Sequence, residues 1–527
     1  MTCTSFERAA ARARMVSRLS SVALASAFLA ACGGGGGGDS ASPPPAAPPP
    51  ATVPPPSTPP PSTPPPPANA APVANAGSAI TFALPTDHAA LAGSATDDGL
   101  PSGSTLTYSW EVVSGPQGPG GTPGVTFTDA SAAATNARFI GGPGDYVLNF
   151  KASDGELTGT STLQVTVQPN PNTYPAATAP GVSGWLTATP AEENMDVARL
   201  DEARDYSIAA GQTGNEAGYI IRHGRLVYSW GDPTVRYEMK STTKSMGGLA
   251  LLLALDEGRI ALADNVSSKL PQFGLDPPVD TTPVSDGSLA DINVLQLATH
   301  TAGFSKSDQP GTLQLLYKPG STWSYSDQAL NWLADLLTQT YSQDLGSLLF
   351  SRVYTTLGIS ADDLIWRNNQ YRTATLSVNG VPVPRRELAS GIEANVNAMA
   401  RVGLLMLREG VWADTPLLSN AVVQLARQPQ QSIVSATIAD PANFPGATTN
   451  YGILWWTNAT GQMSGVPTDA FWAWGLHETF IIVVPSLDLV VVRAGDRGWH
   501  AQSAGFWNAD YAVLEPFLTP IVQSVGP

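Results

Sequence analysis

The stretch Lys240-Ser241-Thr242-Thr243-Lys244-Ser245 runs directly into a nearly continuous apolar segment from Met246 to Leu255. This segment is rich in helix-forming residues and ends at Asp256-Glu257-Gly258, which predicts a buried helix. Ser241 and Lys244 stand three positions apart, so on a helix they share one face with their β-carbons about 5–6 Å apart. The pair therefore lies where the chain enters a core helix.

A serine and a lysine at this spacing can carry nucleophilic chemistry. A serine hydroxyl needs an adjacent base, and a partly desolvated lysine can lose its proton and act as that base. Free N–H groups at a helix N-terminus add positive potential where an oxyanion would develop. The chain has six lysines, of which only Lys244 follows a serine by three positions. Taken alone, Ser241 is better explained as a helix N-cap than as a nucleophile, so partner motifs are needed.

Strand patterns flank this helix on both sides along the chain. Ala217–Arg222 and Arg225–Trp230 predict a hairpin that turns at His223-Gly224. Near the other end, Phe480–Val484 and Leu487–Arg493 predict two further strands. We therefore expect a sheet assembled from both ends of the domain, with a helical insertion between them.

Several further stretches recur in the order found in one known superfamily. Ser324-Tyr325-Ser326-Asp327-Gln328 begins 83 residues after Ser241 and resembles the Y-x-N motif of serine β-lactamases and penicillin-binding proteins, with Asp327 where asparagine is usual. Other matching stretches are Leu297–Phe304, Ser390-Gly391-Ile392, Ala398–Leu407, Gly410-Val411-Trp412 and Tyr451–Trp456. Over about residues 195–515 the chain is similar to class C β-lactamase-like serine hydrolases, which include family VIII esterases, D-aminopeptidases and 6-aminohexanoate-oligomer hydrolases.

This resemblance implies an α/β domain with an antiparallel sheet flanked by helices and a helical subdomain. It also implies that Ser241 is the nucleophile, that Lys244 is its base and that Tyr325 relays protons. No metal or organic cofactor is implied. A carboxylate at Asp327 favours a protonated Lys244 and is expected to affect substrate choice or pH dependence. His300 is expected to be structural.

The third motif departs from the family pattern. No lysine follows Lys318, so the K-T-G strand of class C β-lactamases is absent. Trp474-Gly475 resembles the W-G-G of family VIII esterases, with Leu476 in place of the last glycine. Loss of the K-T-G cation argues against β-lactam turnover. We expect substrate contacts from Asp327, Trp474, Gly475, Leu476 and His477, although His477 is as readily explained as a strand-end turn residue.

An all-β module is predicted before the hydrolase domain, at residues 71–169. Short alternating runs lie between turn signals, as in a small β-sandwich. The stretches that resemble bacterial PKD-type immunoglobulin-like domains are Ala71–Gly77, Leu106–Trp110, Gly144–Leu148 and Ala152–Gly155. Trp110 is expected in its core, and Asp97 and Asp98 are expected to be turn residues rather than calcium ligands. The module is expected to be a spacer or to contact cell-surface molecules.

The N-terminal residues predict export and membrane attachment. Residues 1–31 contain four arginines followed by a short apolar run, and Leu29-Ala30-Ala31-Cys32 resembles the lipobox of bacterial lipoproteins. Cys32 is therefore the expected lipidation site, and Gly33 after it favours the outer membrane. Sixteen of the 25 residues from 43 to 67 are proline, so residues 32–70 are expected to form a disordered tether.

Composition excludes several other classes of protein. The net charge of −16 argues against a nucleic-acid-binding protein, which needs a basic surface. Cys3 and Cys32 are the only cysteines, so a disulfide framework is excluded, and the five histidines form no zinc motif. Residues 170–190 are expected to link the sandwich to a hydrolase domain at 191–527.

The leading hypothesis is a membrane-tethered, exported serine hydrolase that cleaves a small ester, amide or peptide through a Ser-Lys-Tyr acyl-enzyme mechanism. The first alternative is penicillin-binding or β-lactamase activity on cell-wall peptides or β-lactams. The second is a non-catalytic surface protein that retains the fold for binding.

Overall fold

The computed structural model of the 527-residue chain describes residues 67–118, 121–177, 183–211, 214–284, 288–309, 311–496 and 511–526. Cys32, the predicted signal peptide and the predicted tether up to residue 66 lie outside these residues. Within the described ranges, no helix is both long enough and apolar enough to cross a membrane.

The predicted β-sandwich is confirmed. Its strands are β1 (Val73–Asn75), β2 (Ile80–Ala83), β3 (His88–Ala92), β4 (Ser94–Thr96), β5 (Thr107–Ser114), β6 (Val125–Phe127), β7 (Ala134–Phe139), β8 (Gly144–Ser153) and β9 (Thr158–Gln168). One sheet has the order β2-β9-β8-β5, and the facing sheet has the order β3-β7-β6. In β8 every second residue from Tyr146 to Ala152 is buried, which is the period of a strand with one face on a core.

The sandwich core is aromatic. Trp110 is 3% exposed, and its ring lies 4.9 Å from that of Phe150, so its prediction as the core tryptophan is confirmed. The carboxylates of Asp97 and Asp98 accept the backbone N–H groups of Gly99 and Leu100 at 3.0 and 2.9 Å. Both aspartates thus stabilise a turn, as Asx residues commonly do.

The second part of the chain is the α/β domain predicted from the sequence. Its strands are β10 (Ala217–Arg222), β11 (Arg225–Trp230), β12 (Tyr237–Glu238), β13 (Thr322–Trp323), β14 (Leu364–Trp366), β15 (Thr375–Val378), β16 (Val381–Pro384), β17 (Ile392–Ala394), β18 (Val411–Trp412), β19 (Thr415–Pro416), β20 (Thr437–Ile438), β21 (Trp456–Thr457), β22 (Phe471–Gly475), β23 (Thr479–Val484) and β24 (Leu489–Ala494). Its α-helices are α1 (Val197–Gly211), α2 (Thr242–Gly247), α3 (Leu249–Asp256), α4 (Val266–Lys269), α5 (Val294–Ala298), α6 (Asp327–Tyr341), α7 (Leu345–Leu349), α8 (Val396–Leu407), α9 (Asn420–Arg427), α10 (Ala447–Asn450) and α11 (Tyr511–Ser524).

The main sheet joins strands from both ends of the domain in the order β11-β10-β24-β23-β22-β21, with antiparallel pairing throughout. Successive side chains of a strand point to opposite faces of the sheet. Since β23 and β24 are almost entirely apolar and buried, both faces of the sheet are apolar. Ile481 and Val483 pack with α2, α3 and α8, whereas Phe480 and Ile482 pack with α1 and α11. The sheet is therefore the middle layer of three.

The predicted hairpin and helix need one correction. Arg222 pairs with Arg225 across His223-Gly224, as predicted, and both turn residues have positive φ. The single helix predicted for residues 246–255 is divided at Gly248 into α2 and α3. A Cβ on Gly248 would lie 2.4 Å from Lys244 O and 2.5 Å from Leu454 Cδ1, so the division coincides with a close approach to a neighbouring segment.

The sandwich contacts the α/β domain directly. Arg138 of β7 forms ion pairs with Asp87 at 2.6 Å and with Asp256 at the end of α3 at 2.5 Å. Val411 of β18 is fully buried among the core residues of the sandwich. Asn170, just after β9, donates its backbone N–H to Asp414 at 2.8 Å. The contact between the two domains therefore contains both an ion pair and a buried apolar residue.

Candidate active site

Ser241 occupies the bend between β12 and α2. Lys240 adopts φ +49°, a left-handed conformation that costs a non-glycine residue about 1–2 kcal/mol, and the chain then turns into the helix. Thr242 N–H donates to Met239 O at 3.1 Å, and Lys244 N–H donates to Ser241 O at 2.9 Å. Ser241 is the N-cap residue of α2, but its side chain makes no capping hydrogen bond. Its hydroxyl is therefore available to Lys244.

Lys244 is brought to Ser241 as the spacing predicts. Its Nζ lies 3.0 Å from Ser241 Oγ, 2.9 Å from Asp327 Oδ1 and 2.7 Å from Ala389 O. The residue is only 2% exposed. An ammonium has three N–H donors, which these three acceptors can take, and the Tyr325 hydroxyl is a further hydrogen-bond partner of the amine. A neutral amine in the same place would donate to Asp327 and Ala389 and keep its lone pair for the serine proton.

The charge of Asp327 keeps Lys244 protonated in the resting site. Burial by itself lowers the pKa of Lys244, but the Asp327 charge and the Tyr325 hydroxyl outweigh it, so the pKa is raised overall. For Asp327, burial raises the pKa, but the charges of Lys244 and Lys306 lower it to about 2. The expectation that a carboxylate at this position favours a protonated lysine agrees with both shifts.

Tyr325 is held by stacked rings. Its ring stacks on His300 at 4.5 Å between centroids and on Phe444 at 5.2 Å, and the residue is 5% exposed. Lys244 Nζ lies 4.9 Å from the Tyr325 ring centroid. Ser241, Lys244, Tyr325 and Asp327, which come from two helix N-termini, thus meet in one cluster.

His300 is buried beside Tyr325 and helps to hold it in place. Its Nδ1 accepts the backbone N–H of Ser326 at 3.1 Å, so the ring proton is assigned to Nε2, which faces Tyr451 Oη at 3.3 Å. Burial, and then the charge of Lys244, lower the pKa of His300 to about 3. The ring is therefore neutral above that pH and contributes no charge to the site.

The end of β22 packs directly behind the Ser241 bend. A Cβ on Gly475 would lie 2.3 Å from Met239 O and 2.9 Å from Thr242 N, so only glycine fits. Thr479 at the start of β23 accepts from Thr242 Oγ1 through its carbonyl at 2.6 Å and donates its own Oγ1 to Met239 O at 2.7 Å. The β22–β23 hairpin is thereby fixed against the bend.

The other predicted substrate-binding residues differ from one another in exposure and in what they contact. Leu476 is 41% exposed at the hairpin turn. His477 is half-buried and lines a cavity of about 540 Å³ together with Glu238 and Asp496. Trp474 is 2% exposed, packs 5.3 Å from Phe480 and belongs to the same apolar cluster as Tyr325. A role of these residues in substrate binding stays a prediction.

The hairpin turn carries two consecutive non-glycine residues with positive φ. His477 has φ +71° and Glu478 has φ +49°. Arg493 of β24, which is fully buried, donates through Nη1 to the carbonyl oxygens of both residues, at 3.3 Å for Glu478. Since each left-handed residue costs about 1–2 kcal/mol, Arg493 holds a turn that the backbone alone disfavours.

A buried ion network supports the segment that carries Ala389. Arg372 is paired with Asp308 and Asp335 at 2.9 Å each, and all three residues are buried. Asn331 of α6 donates to Asp308 at 2.8 Å and accepts the backbone N–H of Leu388 at 3.1 Å. The network thus ties the helix that begins at Asp327 to the carbonyl that binds Lys244.

Sequence reasoning did not identify Lys306, Ala389 or Phe444. Lys306 follows the quoted 297–304 stretch by two positions, and its Nζ lies 3.4 Å from Asp327 Oδ2. Its closeness in sequence to that stretch is a signal by which Lys306 could have been identified as a site residue. Ala389 acts through a backbone carbonyl, and Phe444 comes from a distant loop, so neither has a local sequence pattern.

Comparisons with known proteins identify the family of the domain. The Beta-lactamase family model matches residues 211–497, which is more than half of the chain, and a PKD domain model matches residues 76–167. Protein flp of Staphylococcus aureus (strain N315) is 23% identical over 175 residues, which are 28% of this chain and 34% of that protein. The chain thus spans about a third of the length of the curated relatives it matches.

Two solved structures illustrate the structural likeness. Simvastatin synthase (LovD) from Aspergillus terreus is 17% identical, with a TM-score of 0.46 over 62% of this chain and 97% of that one. A β-lactamase from Mycobacterium bovis is 18% identical, with a TM-score of 0.44 over 62% of this chain and 100% of that one.

Proposed function

Because the chain belongs to the β-lactamase family of serine hydrolases, we propose that it cleaves a small ester, amide or peptide bond through an acyl-enzyme on Ser241. The observation that carries the proposal is the contact of 3.0 Å between Ser241 Oγ and Lys244 Nζ, in a cluster completed by Tyr325 and Asp327. A nucleophile and a base within hydrogen-bond distance, with the base held by a third group, is the arrangement that activates a serine.

The first step moves one proton and forms one bond. Lys244 in its neutral form accepts the Ser241 hydroxyl proton along the existing contact, while Ser241 Oγ attacks the carbonyl carbon and the carbonyl electrons move to oxygen. The resulting ammonium makes the three hydrogen bonds already present in the resting site. Because the other two acceptors do not change, the transfer needs no rearrangement around the amine.

The second step expels the leaving group. Collapse of the tetrahedral intermediate breaks the bond to the alkoxide or amine, which takes a proton relayed by Tyr325 from Lys244. Water then attacks the acyl-enzyme through the same groups in reverse and returns the proton to Ser241. Backbone N–H groups of Ser241 and of the hairpin turn near Leu476 hold the oxyanion in both halves.

A labelling experiment tests this proposal. A fluorophosphonate probe is expected to modify the intact protein, and Ser241→Ala is expected to abolish labelling. Ser229→Ala, which changes an exposed serine of β11, is the matched control and should label normally. Absence of labelling on Ser241 in folded protein would instead support a non-catalytic surface protein.

A substrate panel then ranks the reaction classes. p-Nitrophenyl esters, D-amino acid amides and nitrocefin are compared, each with Ser241→Ala as the blank. Turnover of esters or amides supports the proposal. Turnover of nitrocefin alone, or stable labelling by penicillin, would favour β-lactamase or penicillin-binding activity instead.

We further propose that the protein is an exported lipoprotein anchored through Cys32, with the β-sandwich as a spacer or a contact to surface molecules. The basic and apolar stretch before Cys32 and the proline-rich tether after it support this proposal. Incorporation of labelled palmitate in the bacterial host, lost in Cys32→Ser, tests the anchor. If both proteins fractionate identically and neither takes up label, the anchor proposal fails.

A further inference from the structure

We propose that Lys306 is the specificity-determining cation of this site and that the preferred substrates carry a carboxylate. This inference rests on the proposed hydrolase function and names the class of substrate for it. The Lys306 side chain is 63% exposed, whereas the side chains of Asp327 and Lys244 are 30% and 3% exposed. Lys306 therefore presents its charge to solvent at the outer end of the cluster that begins at Ser241.

The position of Lys306 is fixed by the backbone of the catalytic motif. Lys306 O accepts the backbone N–H of Asp327 at 2.9 Å, and the preceding Ser305 O accepts from Ser326 Oγ at 2.6 Å. Both donors belong to the motif that contains Tyr325. The loop with Lys306 is thus attached to the start of α6, and its side chain is placed with the site.

The charges that surround Ser241 leave one positive charge in excess. Asp327 accepts from Lys244 at 2.9 Å through Oδ1, and Lys306 approaches its other oxygen only to 3.4 Å. His300 is neutral above about pH 3 because burial and the charge of Lys244 lower its pKa. One carboxylate therefore faces two ammonium groups, and the second group, on Lys306, is the more weakly held and the more exposed.

Neighbouring cations are already engaged by other groups. Lys240 contacts Glu238, and Arg367 bonds Glu387 twice at 3.0 Å. Asp308, the next acid along the loop after Lys306, is paired with Arg372 at 2.9 Å. Among the described residues of this cluster, Lys306 is thus the cation with the greatest access to an incoming anion.

The geometry limits where the substrate carboxylate lies. The contacts of 3.0, 2.9 and 3.4 Å connect Ser241 to Lys306 through Lys244 and across the Asp327 carboxylate, from Oδ1 to Oδ2. The Lys306 ammonium therefore lies within about 12 Å of Ser241 Oγ. A carboxylate a few bonds from the scissile carbonyl, as in a dicarboxylic acid half-ester, falls within this limit.

The test compares two esters of similar length. The mono-p-nitrophenyl ester of glutaric acid carries a carboxylate, and p-nitrophenyl valerate does not. We expect the wild-type protein to have the higher kcat/KM for the glutarate ester, and Lys306→Met to lower the ratio of the two kcat/KM values at least tenfold, mainly through KM. Lys306→Arg should retain most of the ratio, as should Lys318→Met, which removes another exposed lysine that precedes the Tyr325 motif in the sequence.

The outcomes separate this inference from the proposed function. Equal kcat/KM values for the two esters in wild type, or an equal loss for both in Lys306→Met, overturns the role of Lys306 while leaving hydrolysis intact. An equal displacement of the pH–rate profile for both esters would show that Lys306 acts only by neutralising Asp327, which also overturns it. Failure of the wild-type protein to cleave either ester, with Ser241 unlabelled, contradicts the hydrolase proposal itself.

Discussion

The Asp327 carboxylate lies 2.9 Å from the Lys244 ammonium, in a site where the side chain of the lysine is 3% exposed. The contact connects the N-terminus of α6 to the first turn of α2, 83 residues apart in sequence. It places a full negative charge beside the proposed base, where an asparagine would place only a dipole. The consequence for catalysis is a base that needs a higher pH to become neutral.

The first prediction concerns this charge. Asp327→Asn keeps an acceptor for Lys244 but removes the interaction that raises its pKa. The neutral amine, which is the active form, exists above that pKa, so lowering the pKa extends activity toward acid. We expect the rising limb of the kcat/KM–pH profile to move down by about one pH unit or more, since a neighbouring carboxylate shifts a pKa by about 1–3 units.

The matched control is Asp362→Asn, which neutralises an exposed aspartate elsewhere in the domain. Its profile should follow that of the wild type. If Asp327→Asn and wild type share one rising limb in ester hydrolysis, then Lys244 is not the group whose deprotonation limits the reaction.

The second prediction concerns the space behind Ser241. In Gly475→Ala the added Cβ would lie 2.2 Å from Thr479 Oγ1 and 2.3 Å from the backbone oxygen of Met239. Met239 cannot easily yield, because its N–H also donates to Ile392 O at 2.8 Å. The hairpin must therefore move away from the bend, and a displacement near 1 Å can cost about 100-fold in rate. We expect kcat to fall at least that far, with about 1–3 kcal/mol of lost stability.

Gly93→Ala is the control for overpacking without catalytic effect. Its Cβ would lie 2.5 Å from Phe150 Cε2, inside the β-sandwich. Unfolding by urea should show a comparable loss of stability in this variant, while ester hydrolysis by the folded protein should match wild type. Full activity in Gly475→Ala would mean that the hairpin does not set the position of Ser241.

How much of this site could be predicted depends on how far apart in the sequence the contacting residues lie. Spacing alone pairs Ser241 with Lys244, because residues three apart on a helix are neighbours. The sheet formed from both ends of the chain followed from strand patterns at 217–230 and 480–493. Asp327 was placed with Lys244 through the family resemblance, and the 2.9 Å contact agrees with that placement.

The remaining contacts had no local signal. Phe444 stacks on Tyr325 from 119 positions away, and a single aromatic residue in a loop does not indicate its partner. Ala389 contributes only a backbone carbonyl, whose direction is set by tertiary packing. Arg493 appeared as an ordinary strand residue, since nothing in its neighbours reveals the two carbonyl groups that it binds.

The third prediction therefore concerns Arg493. Its side chain restrains the turn at His477 and Glu478, which the proposed mechanism uses to hold the oxyanion. Arg493→Lys keeps the buried charge but cannot reach both carbonyl groups in the same way. We expect the variant to fold, as judged by circular dichroism, with kcat at least tenfold lower and KM within about threefold of wild type, because the oxyanion develops only in the transition state.

Arg493→Met serves as the comparison for a purely structural role. It leaves the buried carboxylates of Glu216 and Glu478 without this cation, and breaking such a pair costs about 3–5 kcal/mol. A stability loss in both variants with unchanged kcat in Arg493→Lys would assign Arg493 to folding alone. A loss of kcat in a stably folded Arg493→Lys assigns it to positioning the turn.

The last prediction concerns His300 and acid stability. Burial and the charge of Lys244 lower the pKa of His300 to about 3, whereas a histidine in the unfolded chain titrates near its ordinary pKa of 6.5. Between these two pKa values the unfolded chain binds a proton that the folded protein does not bind. The free energy of unfolding therefore falls as the pH falls through this window. The slope is about 1.4 kcal/mol per pH unit, or about 2–3 kcal/mol between pH 6.5 and 4.5.

His300→Asn removes this titration while preserving the local backbone. Asparagine tolerates the φ of +60° at this position, and its Oδ1 can accept the Ser326 N–H that Nδ1 accepts in wild type. Urea unfolding at pH 6.5 and 4.5 should show a loss smaller by about 2–3 kcal/mol in His300→Asn than in wild type, even if the variant is less stable at both pH values because its stacking on Tyr325 is lost. His88→Asn, at an exposed position of the sandwich, should lose as much as wild type. An undiminished loss in His300→Asn would mean that other groups govern the acid sensitivity of the fold.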